Sequence, residues 1–222
     1  MATAIKTSQL HKTFGEVPVL RRLDLEIPEG EFVCIVGPSG AGKSTLLHIM
    51  GLMTPPTSGT LSLFGTDTDG LPDGKLSDMR NRWIGFLFQF HHLLPDLTLW
   101  ENVAVPLLLR REPMKEARSK AENLLKQLGL GHRLDHRPSE TSGGEQQRTA
   151  MARALIGEPR LLLADEPTGN LDHKTGEEIQ KILREETRRR HTTVVTVTHN
   201  EALAAQADRT FHMVDGTLTD SI

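Results

Sequence analysis

The sequence predicts an α/β fold: a mostly parallel sheet covered by helices, with an N-terminal antiparallel β subdomain and an inserted α-helical subdomain. Three observations predict it. Short apolar, β-branched runs alternate with helical stretches over most of the chain, which is how crossover-connected parallel sheets are written. The opening segments Ala4 to Leu10 and Val17 to Ile27 instead alternate apolar and polar residues, as half-exposed strands do. From about Thr98 to Arg153 strand signals vanish and helical spacing takes over. The expected division is therefore a core of residues 1–97 and 158–222 and a helical insertion of residues 98–157.

In order along the chain, Pro28-Glu29-Gly30 turns into Glu31 to Val36, an apolar run that reads as a buried strand. Thr45 to Met53 reads as a helix and Thr60 to Phe64 as a short strand. Gly65 to Gly74 reads as surface loop, Lys75 to Arg82 as helix and Trp83 to Phe88 as strand. Thr98 to Arg110 is expected to be helical, bent or divided at Pro106. Pro113 to Leu128 places Ala117, Ala121, Leu124, Leu125 and Leu128 on one helical face, and Gly129 closes it. Ser142 is placed to cap a helix from Gly143 to Ile156. Arg160 to Ala164 is a strand, His173 to Arg190 a helix, Thr192 to Thr198 a strand and Asn200 to Gln206 a short helix. Asp208 to Val214 and Thr217 to Thr219 flank the turn pair Asp215-Gly216.

The totals narrow the function. The chain has 222 residues, 37% hydrophobic and 25% charged, enough for a sizeable core. A net charge of −3 gives no global attraction for nucleic acid or an anionic membrane, and Arg188-Arg189-Arg190 reads as a solvated helix end. The single cysteine, Cys34, falls in an expected buried strand and cannot form an internal disulfide. The N-terminus lacks the apolar core of a signal peptide, and no run reaches the ~18 apolar residues of a membrane span. Work at a membrane would require docking on something that crosses it. His132 and His136 lack a third metal ligand nearby.

Chemistry enters at Gly37-Pro38-Ser39-Gly40-Ala41-Gly42-Lys43-Ser44, which fits the phosphate-binding P-loop between a strand and a helix. Its glycines let successive N–H groups turn inward, and the following helix presents unpaired N–H groups to phosphate. Lys43 supplies a mobile charge for the β- and γ-phosphates, and Ser44 a hydroxyl for Mg²⁺. Leu161 to Glu166 is an apolar strand ending in two acids, the layout of a Walker B element. Asp165 would hold Mg²⁺ and Glu166 would act as general base on water. Two acids before Pro167 would mean little without the upstream P-loop. Ser142-Gly143-Gly144-Glu145 exposes backbone N–H groups at a helix start, a second small anion site remote in sequence. One nucleotide does not need two such sites from one subunit, so the second fits another subunit's pocket; taken alone, the stretch reads as a glycine-start helix.

The P-loop, Ser142-Gly143-Gly144-Glu145-Gln146, Asp165-Glu166 and His199, in this order, resemble the nucleotide-binding subunit of an ABC transporter over essentially the whole chain. That resemblance implies a RecA-like P-loop NTPase core, ATP and Mg²⁺ as cofactors, and hydrolysis of ATP to ADP and phosphate. It implies a homodimer of nucleotide-binding subunits beneath integral membrane permease subunits, peripheral on the cytoplasmic face of the inner membrane. It also implies roles. Phe14 would stack on adenine, where the family more often has tyrosine; Thr45 would join the P-loop residues around the phosphates. Gln89 would reach Mg²⁺ and the attacking water, making Ser44, Gln89 and Asp165 the metal set. Glu166, His199, Gln89 and Lys43 form the catalytic set. Ser142, Gly143, Gly144 and Glu145 would bind the opposite subunit's ATP, and Asn170-Leu171-Asp172 matches the loop that crosses the interface. Thr141 departs from the usual leucine, at the expense of an apolar contact.

Phe90, Leu93, Leu94, Leu97 and Leu99 are expected to form an exposed patch accepting a partner helix. Glu101 to Leu109 and His136 to Glu140 resemble the lipoprotein-releasing branch of the family, with macrolide-export and cell-division ATPases as near relatives. ABC ATPases of DNA repair and translation, and a regulatory clamp without transport, are the alternatives. One cassette, no heptad run and no basic surplus argue against the repair and translation types.

Overall fold

The structure, a computed structural model, describes residues 2–169 and 173–220, so Asn170-Leu171-Asp172 lies outside the described residues. The chain opens with two long strands, β1 (Thr3–Phe14) and β2 (Val17–Pro28), then β3 (Phe32–Val36) and the P-loop helix α1 (Lys43–Met50). β4 (Ser58–Leu63), β5 (Thr66–Asp67), α2 (Asp73–Trp83) and β6 (Ile84–Leu87) follow. The helical insertion contributes α3 (Leu99–Leu109), α4 (Met114–Gln127) and α5 (Gly143–Leu155). The core resumes with β7 (Leu161–Asp165), α6 (His173–Arg190), β8 (Thr193–Thr198), α7 (Glu201–Ala204), β9 (Arg209–Val214) and β10 (Thr217–Asp220).

Two sheets result. The antiparallel one has the order β2-β1-β4-β5; the other has the order β10-β9-β3-β8-β7-β6 and is parallel from β9 to β6. Period-two alternation explains how the layers stack. Val33 and Ile35 of β3, Leu161 and Leu163 of β7, and Val195 and Val197 of β8 face α1 and the inner side of the antiparallel sheet (Ile5, Leu10, Leu20, Ile27). Their neighbours Phe32, Cys34, Leu162, Ala164 and Val194 face the other way, onto α5 and α6 through Met151, Leu155, Ile179 and Leu183. The helical insertion has its own core, built from Leu99, Val103, Leu107, Ala117, Ala121, Leu125 and Ile156.

Local departures have local causes. α1 stops at Met50, short of Met53, because Leu52 turns left-handed at φ +56° and the Met53 N–H reaches back to the His48 carbonyl. The expected loop of residues 65–74 contains β5, which pairs Thr66 with Leu63, and the start of α2. α3 is neither divided nor ended at Pro106: it runs unbroken from the Thr98 capping box, and burial of Val103, Ala104 and Leu107 offsets the lost backbone bond. The expected exposed patch is smaller than its sequence suggests. Phe90 (68% exposed) and Leu94 lie at the surface, whereas Leu99 is fully buried and Leu93 packs against the parallel-sheet core. Asn102, itself buried, draws that segment inward by bonding the Leu94 N–H and the Leu94, Leu97 and Thr98 carbonyls.

β6 and α5 meet at Gly85, where an added Cβ would lie 2.3 Å from the Ala154 carbonyl oxygen. Gly85→Ala is therefore expected to destabilise the protein by about 1–3 kcal/mol through overpacking. Denaturant melts comparing midpoints at unchanged slope check this; an unchanged midpoint would contradict the tight packing.

Candidate nucleotide site

The parallel register aligns the carboxyl ends of the strands at one edge: Val36 pairs with Thr198 and His212, Asp165 with Val197, and Leu87 with Ala164. The loops leaving that edge build a cavity of about 710 Å³, lined by Gly37, Pro38, Ser39, Gly40, Gly42, Lys43, Ser44, Thr45, Gln89, Asp165, Glu166 and His199. Residues far apart in sequence are thus gathered where sheets of this kind bind ligands. Ala41 is the P-loop residue outside the lining; its side chain is buried in the core beneath the loop. Val19 lines the cavity without any sequence signal beyond its strand alternation. Phe14 does not line it. It stands 53% exposed at the β1–β2 turn, with the Lys12 ammonium 5.0 Å from its ring centroid.

The P-loop is shaped by close approach. A Cβ at Gly37 would lie 2.1 Å from the Met213 carbonyl oxygen, and Gly42, at φ +103°, would meet the Val19 carbonyl at 2.9 Å. Gly42 is the N-cap of α1 and offers no side chain to its first turn, which leaves helix N–H groups available to an anion. The Lys43 ammonium donates to the carbonyls of Gly37 (2.7 Å) and Pro38 (2.9 Å), bracing the loop across its mouth.

Across the cavity, burial pushes the Asp165 carboxyl up, while a hydrogen bond with Ser44 pulls it back. A desolvated carboxylate beside a hydroxyl, with a glutamine lining the same cavity, is an oxygen donor set suited to a hard divalent cation. Glu166 sits at φ +43°, a left-handed conformation uncommon for a residue with a side chain. Its N–H reaches the Val197 carbonyl at 2.9 Å. One carboxylate oxygen accepts from the Thr198 hydroxyl (2.9 Å) and the His199 N–H (3.4 Å); the other lies 2.9 Å from His199 Nδ1. The end of β8 thus aims the carboxylate.

Ser142, Gly143, Gly144 and Glu145 are not in this cavity. They begin α5 in a reciprocal cap: the Glu145 N–H donates to the Ser142 hydroxyl oxygen (3.3 Å), and the Glu145 carboxylate accepts from the Ser142 N–H (2.8 Å) and hydroxyl (2.9 Å). Those bonds, the backbone one foremost, hold the Glu145 carboxyl down at about 2, and Arg133 donates to it at 3.1 Å. The Glu145 carboxylate therefore shapes the helix end as a cap. The Thr141 hydroxyl donates to the Pro138 carbonyl (2.8 Å), a polar tie in place of an apolar contact.

Cys34 lies under the site in β3, its thiol pushed up to about 12 by burial and by the Glu166 charge. It is expected to resist alkylation at pH 8 in the folded protein and to react within minutes in denaturant. Rapid labelling of the native chain would contradict its burial.

A P-loop at the carboxyl edge of a parallel sheet, facing an acid pair and a glutamine, defines a nucleoside triphosphatase, and residues 20–169 match the ABC transporter family, to which this chain belongs. It is an ATP-binding and ATP-hydrolysing cassette. Among its relatives is the lipoprotein-releasing system ATP-binding protein LolD of Geobacter metallireducens, 50% identical over 220 residues, covering 97% of this chain and 98% of that protein. The dimeric structure of MJ0796, a bacterial ABC transporter cassette, superposes with a TM-score of 0.92 at 41% identity over 98% of this chain and 97% of that one. A dimeric post-hydrolysis state of MJ0796 with ADP and Pi gives the same TM-score at 40% identity, with the same coverage. Among the described residues no helix is long and apolar enough to cross a membrane.

Proposed function

We propose that this chain drives the release of lipoproteins from an inner membrane, as the ATPase subunit of a transporter whose permease subunits cross the bilayer above its cytoplasmic face. The observation that carries this reading is the near-full-length likeness to a lipoprotein-releasing ATP-binding protein. Supporting it is a groove of about 770 Å³ between core and helical insertion, lined in part by Met53, Phe86, Phe88, His92, Leu109 and Arg110. Met53, Leu109, Phe90 and Leu94 expose apolar side chains, which suits a helix from a membrane partner.

In this reading the core and helical parts form one nucleotide-binding domain, and two copies close head-to-tail around two ATP molecules. The P-loop N–H groups and Lys43 hold the phosphates of one ATP, with Thr45 beside them. The α5 N-terminus of the partner copy, through Ser142, Gly143 and Gly144, completes its γ-phosphate site. Phe14 extends toward the adenine. Ser44, Asp165 and Gln89 would hold Mg²⁺, which would supply positive charge against the charge developing on the phosphates. Glu166 takes a proton from the water that attacks the γ-phosphorus as the bond to ADP breaks, and His199 keeps that carboxylate oriented. Closure reaches the permease through the segment after Gln89.

The test is affinity purification of the Glu166→Gln variant from membranes with ATP present, with identification of the co-purifying proteins. A permease pair together with lipoprotein is the expected catch. A different permease would overturn the substrate, and ribosomes or repair factors without any permease would overturn transport.

A further inference from the structure

We propose that Arg153 is a positioning residue that couples the two ATP sites of the closed dimer, by tying helix α5 to the segment that carries Gln89. The inference rests on the head-to-tail dimer proposed above and assigns a route within one chain. Arg153, in the last turn of α5, donates from Nη1 to the His92 carbonyl (2.6 Å) and from Nη2 to the His91 carbonyl (2.7 Å). Nearer the start of the same helix, Gln146 Oε1 lies 3.2 Å from His91 Nδ1. α5 therefore grips the segment two and three residues beyond Gln89 at both of its ends. A third tie runs from the same helix to the opposite wall of the cavity: buried Gln147 donates to the Pro167 carbonyl (2.8 Å), directly after Glu166.

The chemistry of the Arg153 contact is unusual for a structural arginine. Arg153 is half-buried, and a cation so placed is commonly matched by a carboxylate. Among the described residues Arg153 has no acidic partner; burial alone lowers its pKa, and its two short bonds go to loop carbonyls. A planar fork on two successive carbonyls fixes both the position and the tilt of that backbone. In the dimer the N-terminus of α5 meets the other copy's ATP. A helix is stiff along its axis, so a shift imposed at Ser142 reaches Arg153 and moves residues 91–92, and Gln89 with them. Occupancy of one site thereby sets the glutamine of the other.

The test compares Glu166→Gln with Glu166→Gln/Arg153→Ala by backbone hydrogen exchange, with and without ATP, alongside dimerisation by size exclusion. In the parent, ATP is expected to produce the dimer and slow exchange of amides 89–94 by about tenfold, a coupling of ordinary size. In the double variant ATP should still produce the dimer, while the slowing at 89–94 is lost. Equal slowing in both would overturn the proposal. Failure of the parent to dimerise would overturn the dimer reading, whatever Arg153 does. Should the alanine variant not fold, Arg153→Gln carries the same expectation, and a full response there would overturn the fork. Arg153→Lys, which keeps the charge and donors but loses the rigid planar fork, should restore part of the response. With Glu166 intact, Arg153→Ala should lower kcat about tenfold at nearly constant KM, because the phosphate ligands of its own site are untouched.

Discussion

Glu166→Gln is expected to bind ATP as tightly as the parent and to hydrolyse it about 10²- to 10⁴-fold more slowly, the range for removing a general base. The geometry explains why affinity should survive. Glu166 is held by Thr198 and His199 at the end of β8, on the far side of the cavity from the Lys43 brace, and glutamine can keep the Thr198 bond through its amide oxygen. What disappears is the proton acceptor. The check is a single-turnover assay beside an ATP-binding titration. Turnover at the parent rate would remove Glu166 from the role, and a matching loss of affinity would make it a binding residue instead. His199→Ala should follow more weakly, since the Thr198 contact still orients the carboxylate.

Lys43→Ala is expected to weaken ATP binding by about 10- to 100-fold, which corresponds to losing charge-assisted hydrogen bonds worth about 1.5–3 kcal/mol. A second effect is internal. Lys43 donates to Gly37 and Pro38, so alanine removes a donor from each carbonyl and leaves Pro38 to the Ala41 N–H. The loop should therefore loosen even without nucleotide, seen as faster hydrogen exchange at residues 37–41. Lys43→Arg separates the two effects: it keeps the charge, but its bulkier planar head does not fit the same pair of carbonyls. Binding titrations on both variants settle the matter; undiminished affinity in Lys43→Ala would contradict the P-loop assignment.

Elements with strong local signals are legible in the amino-acid order alone. The strand–P-loop–helix unit is written in adjacent residues, as is the apolar run into Asp165-Glu166, so contact order is no obstacle there. α6, His173–Arg190, matches the sequence reading, its apolar contacts coming from Ile179 and Leu183 one turn apart. Contacts between segments distant in sequence are not legible. Nothing around Val19 announces a cavity wall, and nothing around Arg153 announces that its head lies on the His91 and His92 carbonyls. The apolar segment after Gln89 reads as more exposed than it is for a related reason. Its composition suits a surface patch, but Asn102, a polar residue from the next helix, folds part of it inward and buries Leu99. β5 leaves no trace in the sequence because two residues carry no period. The resemblance makes Glu145 a nucleotide ligand, and only the geometry shows its carboxylate bonded to Ser142.

The strand order has a consequence for how this protein is born. β3, which leads into the P-loop, lies between β8 and β9, and Gly37 rests against Met213. The Asp215-Gly216 turn is wedged beside the same loop: the Gly216 N–H donates to the Ala41 carbonyl, and the Arg21 N–H to the Gly216 carbonyl. The loop is thus synthesised well before β8 and β9, which flank the strand leading into it. At ~5–20 residues per second the apolar strand Phe32–Val36 waits about 10–35 s for both neighbours. Throughout that interval its edges are unpaired and open to wrong partners. A nascent chain stalled before β9 should fail to retain ATP and should depend on chaperones, whereas one extended beyond β10 by a flexible linker should hold ATP without them. The nucleotide site therefore cannot be completed until β9 and the turn after it have been made.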